Sequence, residues 1–172
     1  MANSHVLISS QTLGSPVALV TFGAGGTLPQ TYRDLYLVVN ARSVSTSFAA
    51  DNFGIQFNSD TAANYSWVRA FADVSAGVSS SATTGNQIGQ IVIAASQSAT
   101  DPSPIILQVL DYSATDKHKT AIIRSGSSAQ QVCMTTGRWA STSAITSFAV
   151  SNYASAANFA AGSTFMLYGV LG

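Results

Sequence analysis

The chain has 172 residues, 47% of them hydrophobic and 8% charged, and its seven Lys and Arg balance seven acidic residues for a formal net charge of zero. That length and apolar share suit one domain, 1–172, with an ordinary core, and make a second independent domain unexpected. Without a basic stripe to hold phosphates, nucleic-acid binding is disfavoured, and without a run of about 18 apolar residues no membrane insertion is expected.

All seven acids are Asp, and Glu is absent. Helices thereby lose a main surface residue while strand and turn formers stay plentiful, so the expected class is all-β. The start, Met1-Ala-Asn-Ser-His-Val-Leu-Ile-Ser-Ser, has no cationic region, long apolar stretch or cleavage site, so the mature chain is expected to begin at or next to Met1.

Strand-length runs follow at Val6–Ser10, Val17–Phe22, Leu35–Ala41, Phe53–Phe57, Tyr65–Phe71, Ile88–Ala94, Ile105–Leu110, Thr120–Arg124, Val132–Thr136, Ile145–Val150 and Thr164–Val170. Turn signals at Gly23-Ala-Gly-Gly, Asn58-Ser-Asp, Asp101-Pro-Ser-Pro and Ser125-Gly-Ser-Ser separate them, in the rhythm of a β-sandwich. About ten strands in one domain read as jelly-roll-like. Alternation puts Leu35, Leu37, Val39 and Ala41 on one face of their strand, and Phe53, Ile55 and Phe57 on one face of theirs. The polar stretch Val74–Asn86 reads as a long surface loop, and Ala154–Gly162 is the one place suited to a helical turn.

After Arg138 no charge remains. The tail Trp139–Gly172 alternates apolar with small neutral residues, which predicts paired strands whose outer side faces another protein. In Thr164–Val170 both faces carry residues that prefer burial, so this strand is expected to be central or at a subunit seam.

Chemical constellations are sparse. A hydrolase triad drawn from His118 with Asp111 or Asp116 falls within one hydrophilic segment and lacks a nucleophile elbow; a solvated turn carrying Asp116-Lys117-His118-Lys119 accounts for it. Asp51 and Asp60 form the one carboxylate pair to weigh for a glycosidase, but in loop-like surroundings. Gly23-Ala-Gly-Gly is followed by Thr27-Leu-Pro rather than a phosphate-binding helix. His5 and His118 lie far apart without ligand spacing, and the lone Cys133 rules out an internal disulfide and reads as a small buried hydrophobe. No catalytic, cofactor or metal residues are therefore assigned. Tyr65, Trp67, Tyr112 and Trp139 could stack on sugar rings, although large aromatics in a sandwich more often fill its core or a seam.

Several segments carry a resemblance. Gly137-Arg-Trp, Ser143-Ala-Ile-Thr-Ser and Asn158-Phe-Ala-Ala-Gly-Ser-Thr-Phe-Met-Leu-Tyr-Gly-Val resemble the closing motif of a family of tailed-bacteriophage virion proteins. Leu28-Pro-Gln-Thr-Tyr-Arg-Asp-Leu-Tyr-Leu, Phe57-Asn-Ser-Asp-Thr-Ala-Ala-Asn-Tyr-Ser-Trp and Leu110-Asp-Tyr-Ser-Ala-Thr-Asp-Lys-His-Lys-Thr are similar to upstream segments of that family, in the same order. The resemblance implies a non-enzymatic virion structural protein, made in the bacterial cytoplasm and placed on the virion exterior, where the sequon at Asn64 would stay silent. The expected role is a capsid decoration or cement subunit, a homo-oligomer with a trimer favoured, bound to neighbours such as the major capsid protein. A tail-fibre or receptor-binding tip recognising a host glycan is the alternative.

Overall fold

A computed structural model describes residues 4–46, 50–75, 77–94, 101–127, 130–152 and 157–172, with backbone alone for 90–94. Among them the chain is all-β, with no helix and twelve strands. These are β1 (His5–Thr12), β2 (Leu19–Phe22), β3 (Asp34–Ala41), β4 (Ala50–Phe57), β5 (Tyr65–Asp73), β6 (Gly77–Gly85), β7 (Ile88–Ala94), β8 (Ser103–Leu110), β9 (Lys119–Ser127), β10 (Gln131–Trp139), β11 (Phe148–Asn152) and β12 (Thr164–Val170). They form two antiparallel sheets: an eight-stranded one in the order β1-β12-β3-β8-β9-β10-β5-β6, and a four-stranded one in the order β2-β11-β4-β7. The β-sandwich expected from the strand and turn rhythm is the fold observed.

Period-two patterning builds the core. Leu35, Leu37, Val39 and Ala41 of β3, Ile105, Leu107 and Val109 of β8, and Phe165 and Leu167 of β12 turn inward from the large sheet. They meet Phe22, Phe53, Ile55, Phe57, Phe148 and Val150 of the small one. Each such side chain, fully buried, contributes about 1.5–3 kcal/mol. Phe159, which bridges both Val17 and Ser43, closes one part of this layer edge-on against Phe165 at 5.1 Å.

Each of the eleven predicted runs holds a strand; the twelfth corrects the reading of Val74–Asn86. That stretch is not a loop, because Gly77–Gly85 pairs with all of β5, from Asp73↔Gly77 to Tyr65↔Gly85. Its Ser, Thr and Ala carry no apolar alternation because β6 lies at the sheet edge and buries neither face. The backbone ladder, to which polar composition is no obstacle, makes it a strand. The predicted helical turn falls partly on 154–156, outside the described residues, and no helix occurs in 157–162.

The tail is charge-free and β-rich as expected, but β11 and β12 do not pair with each other. β11 lies between β2 and β4 in the small sheet, and β12 between β1 and β3 in the large one. A strand with a neighbour on both edges cannot be lost without orphaning both. Deleting Thr164–Gly172 is expected to give insoluble or unassembled protein. Leu167→Ala, at a fully buried position, is expected to cost about 2–5 kcal/mol in urea unfolding.

Candidate interaction surface

Most of the segments behind the family resemblance come together in space at one end of the sandwich, where the chain crosses from β10 in the large sheet to β11 in the small one. The stretch 158–163 lies at the other end, where Phe159 bridges Ser43 and the Ala160 N–H donates to the Arg42 carbonyl. Asn58 and Ser59, at φ 52° and 56°, turn the chain out of β4 in a left-handed conformation that Asn tolerates better than most residues. The Asn58 Oδ1 then accepts from the backbone N–H of Thr146 at 2.8 Å and of Ser147 at 3.1 Å, while its Nδ2 donates to the Ala144 carbonyl at 2.7 Å. From the other side Gln30 Nε2 donates to the Ile145 carbonyl at 3.0 Å, and the Ile145 N–H donates to the Tyr112 carbonyl at 2.8 Å. The Tyr112 hydroxyl donates to the Pro29 carbonyl. Ile145 is thereby strapped by three segments distant in sequence.

Asp60 extends the brace. Its Oδ2 accepts from the Trp139 indole N–H at 2.7 Å and the Asn64 amide at 2.9 Å, and its Oδ1 from the Ala62 N–H at 2.9 Å. The Asn64 and Trp139 donors favour the charged form and hold the Asp60 carboxyl below the usual carboxylate range, against a smaller opposing effect of burial. Burial pushes Asp34 up, yet the Asp111 N–H, the Arg33 guanidinium and the Gln108 amide together bring it below its ordinary value. Burial raises the Tyr65 phenol, whose oxygen accepts from the Phe57 N–H at 3.0 Å. Two motif glycines are explained by close approach: a Cβ on Gly137 would lie 2.5 Å from Ile88, and one on Gly169 would lie 2.2 Å from the Tyr32 ring. The motif segments around Asn58, Trp139 and Ile145 thus form a structural joint.

The residues weighed for chemistry are dispersed. Asp111 pairs with Lys117 at 3.0 Å on the surface, in the turn that also carries exposed His118. Lys119 departs from the solvated turn expected of it. It opens β9, is fully buried, and donates to the carbonyls of Lys117 at 2.8 Å and Thr142 at 3.2 Å, while burial pushes its ammonium down from the ordinary lysine value. Asp51 is likewise not loop-like: it lies within β4, buried, and accepts from the Ser43 hydroxyl at 2.8 Å. Asp60 lies beyond the other end of that strand, so the two carboxylates are separated by about six strand residues, roughly 20 Å. Among the described residues no three His, Cys, Asp or Glu side chains gather as a metal site. Cys133 is buried, as expected. Tyr65, Trp67, Tyr112 and Trp139 are all buried, with Tyr65 stacked on Trp139 at 6.3 Å, so they build core rather than an exposed sugar platform.

What the fold leaves open is the outer face of the eight-stranded sheet. Cross-strand register aligns Ser80, Ala70, Met134, Arg124, Ile106, Val38 and Met166 in one row, and Ala82, Val68, Thr136, Ile122, Gln108, Tyr36, Tyr168 and Leu7 in the next. A third, shorter row carries Val78, Ala72, Val132 and Gly126. The rows run roughly 34 Å across the sheet at ordinary strand spacing. On β5, β6 and β10 the face is openly apolar, with Val78 85%, Val132 62%, Val68 58% and Met134 53% exposed. Arg124 and Arg138 are its exposed charges along β9 and β10. Shallow hollows mark the same face, one around Val78, Val132 and Met134 and another around Val68, Thr136 and Arg138. The open apolar surface centres on β5, β6 and β10, and the charge-free tail contributes Met166 and Tyr168 at its far side.

No protein-family model matches the chain, and no curated protein does. Among solved structures it is similar to scytalido-glutamic peptidase with a peptide-based transition state analog, at 11% identity and a TM-score of 0.30. A second structure of scytalido-glutamic peptidase, with a transition state analog inhibitor, gives 12% identity and a TM-score of 0.29. In both, the match covers 92% of this chain and 66% of the peptidase chain. So remote a likeness transfers no activity and no residue roles. The expectation of a non-enzymatic protein is nonetheless withdrawn: the two structures named are of peptidases, and the lack of a familiar sequence motif is no ground for excluding catalysis.

Gly169→Ala is expected to cost about 1–3 kcal/mol through overpacking against Tyr32, read by urea unfolding. Because the Asp60 carboxyl is held below its unfolded value of about 3.9, its contribution to stability is present above that pH and is lost as pH falls through the folded value. Asp60→Asn is therefore expected to lose less stability than the parent chain between pH 7 and pH 3. Equal losses would show that the brace is indifferent to the charge.

Proposed function

We propose that this chain is a bacteriophage virion structural protein, a decoration or cement subunit on the particle exterior that works by contact area. The outer face of the large sheet carries the proposal. Contiguous exposed Val68, Val78, Val132 and Met134, set among Ala, Ser and Thr, form an apolar surface of the kind that monomeric proteins rarely leave bare. The family resemblance of the braced segments supports the virion setting. In this reading subunits associate with one another and with shell proteins such as the major capsid protein, and many individually modest contacts add through multivalency.

Replacing Val132 and Met134 together by Lys tests the surface. Both side chains are more than half exposed, so folding is expected to change by about 0.5 kcal/mol or less at each. Binding to purified particles lacking the protein is expected to weaken about tenfold or more, equivalent to roughly 1.4 kcal/mol. Unchanged binding by a folded double variant would remove this face from the proposal.

A further inference from the structure

We propose that β6 is a seam at which a second copy of this chain adds its own β6 in antiparallel pairing, joining two eight-stranded sheets across a two-fold axis. The inference deepens the reading of the chain as a self-associating subunit and rests on it for that alone; it holds whether or not the oligomer sits on a particle. Among the described residues no strand lies beyond β6 in the sheet, so alternate N–H and C=O groups of this edge point outward. Natural monomers guard such edges with charge, proline, bulges or short length. β6 has nine residues, Gly-Val-Ser-Ser-Ser-Ala-Thr-Thr-Gly, with no charge and no proline, and its register with β5 is unbroken. By contrast, β1 at the opposite edge has a register shift between Leu7 and Ser9; at the edges of the small sheet, β2 has four residues and the pairing of β7 with β4 has a register shift between Phe53 and Ile55.

The strand is also self-complementary. An axis through Ser81 sets Ser81 against Ser81 of the second copy, Ser80 against Ala82, Ser79 against Thr83, Val78 against Thr84 and Gly77 against Gly85. Small residues meet small ones, and β-branched Val78 meets β-branched Thr84, a favourable cross-strand match. The same surface patch then serves both subunits, as a two-fold interface requires. The nearby cation offers little obstruction: Arg69 donates to Ser81 at 2.9 Å, and its guanidinium is held 4.1 Å over the Phe71 ring.

The test uses purified full chain. Mass in dilute solution is expected to be a multiple of two subunits; a mass of one or three subunits overturns the seam. On air oxidation Ser81→Cys is expected to give a disulfide-linked dimer, because facing strand residues lie within disulfide reach, whereas Ser80→Cys is not. Equal crosslinking at both positions overturns the register. Val78→Lys with Thr84→Lys sets like charges opposite each other and is expected to weaken dimerisation at least tenfold. Val78→Lys with Thr84→Asp pairs opposite charges and is expected to restore it; identical behaviour of the two variants overturns the proposal. Particle binding, measured separately, distinguishes the two readings. A monomer that binds particles sinks the seam alone, and a dimer that does not bind sinks the virion role alone.

Discussion

A sandwich strand is held by its ladder, but the crossing from β10 to β11 leaves one sheet for the other and has no ladder to hold it. Side chains take over there. Asn58 supplies Ala144, Thr146 and Ser147 with the partners a neighbouring strand would have given, and Asp60 fixes the indole of Trp139 where β10 ends. Gln30 and Tyr112 complete the strap from the far side. Because an unpaired buried backbone group costs as much as a lost hydrogen bond, this joint sets how the sheets meet, and with it where the aromatic layer of Phe57, Tyr65, Phe148 and Trp139 packs.

The scarcity of charge has a second consequence. Several of the few acids are engaged within the fold: Asp34 with Arg33, Gln108 and the Asp111 N–H, Asp51 with Ser43, and Asp60 with Trp139 and Asn64. Asp73 is held well below the usual range by Ser75 and Gln131, where the β5–β6 turn meets the start of β10. Carboxylates used in this way are not distributed over the broad sheet face. That face is left mostly to Val, Met, Ala, Ser and Thr beside Arg124 and Arg138, and its Val and Met side chains are ones that water solvates poorly and a partner subunit solvates well. Internal bracing and a sparsely charged outer face are two results of one composition.

The enzyme question turns on the same arrangement. His118 stands exposed in a turn, Asp51 is buried beside Ser43, and Asp60 is committed to the brace. The residues that sequence reasoning weighed for catalysis are thus not brought together.

The strands of the core were legible because period-two alternation is a local property: Leu35, Leu37, Val39 and Ala41 announce a buried face whatever lies across from it. The importance of the Asn58-Ser-Asp, Gly137-Arg-Trp and Ser143-Ala-Ile-Thr-Ser segments was legible as well, though not their purpose. Three things were decided only in three dimensions. β6 has no alternation to read, since both its faces are open, and it exists as a strand through its pairing with β5. Lys119 and Asp51 look like surface residues because charge ordinarily seeks water, yet nearby carbonyls and a hydroxyl replace that water for each. The open face is assembled from strands as far apart in the chain as β1 and β12, so no window of the sequence contains it. Periodicity along the chain fixes which side of a strand is apolar; only the order of strands in the sheets decides whether that side meets the core, a partner or water.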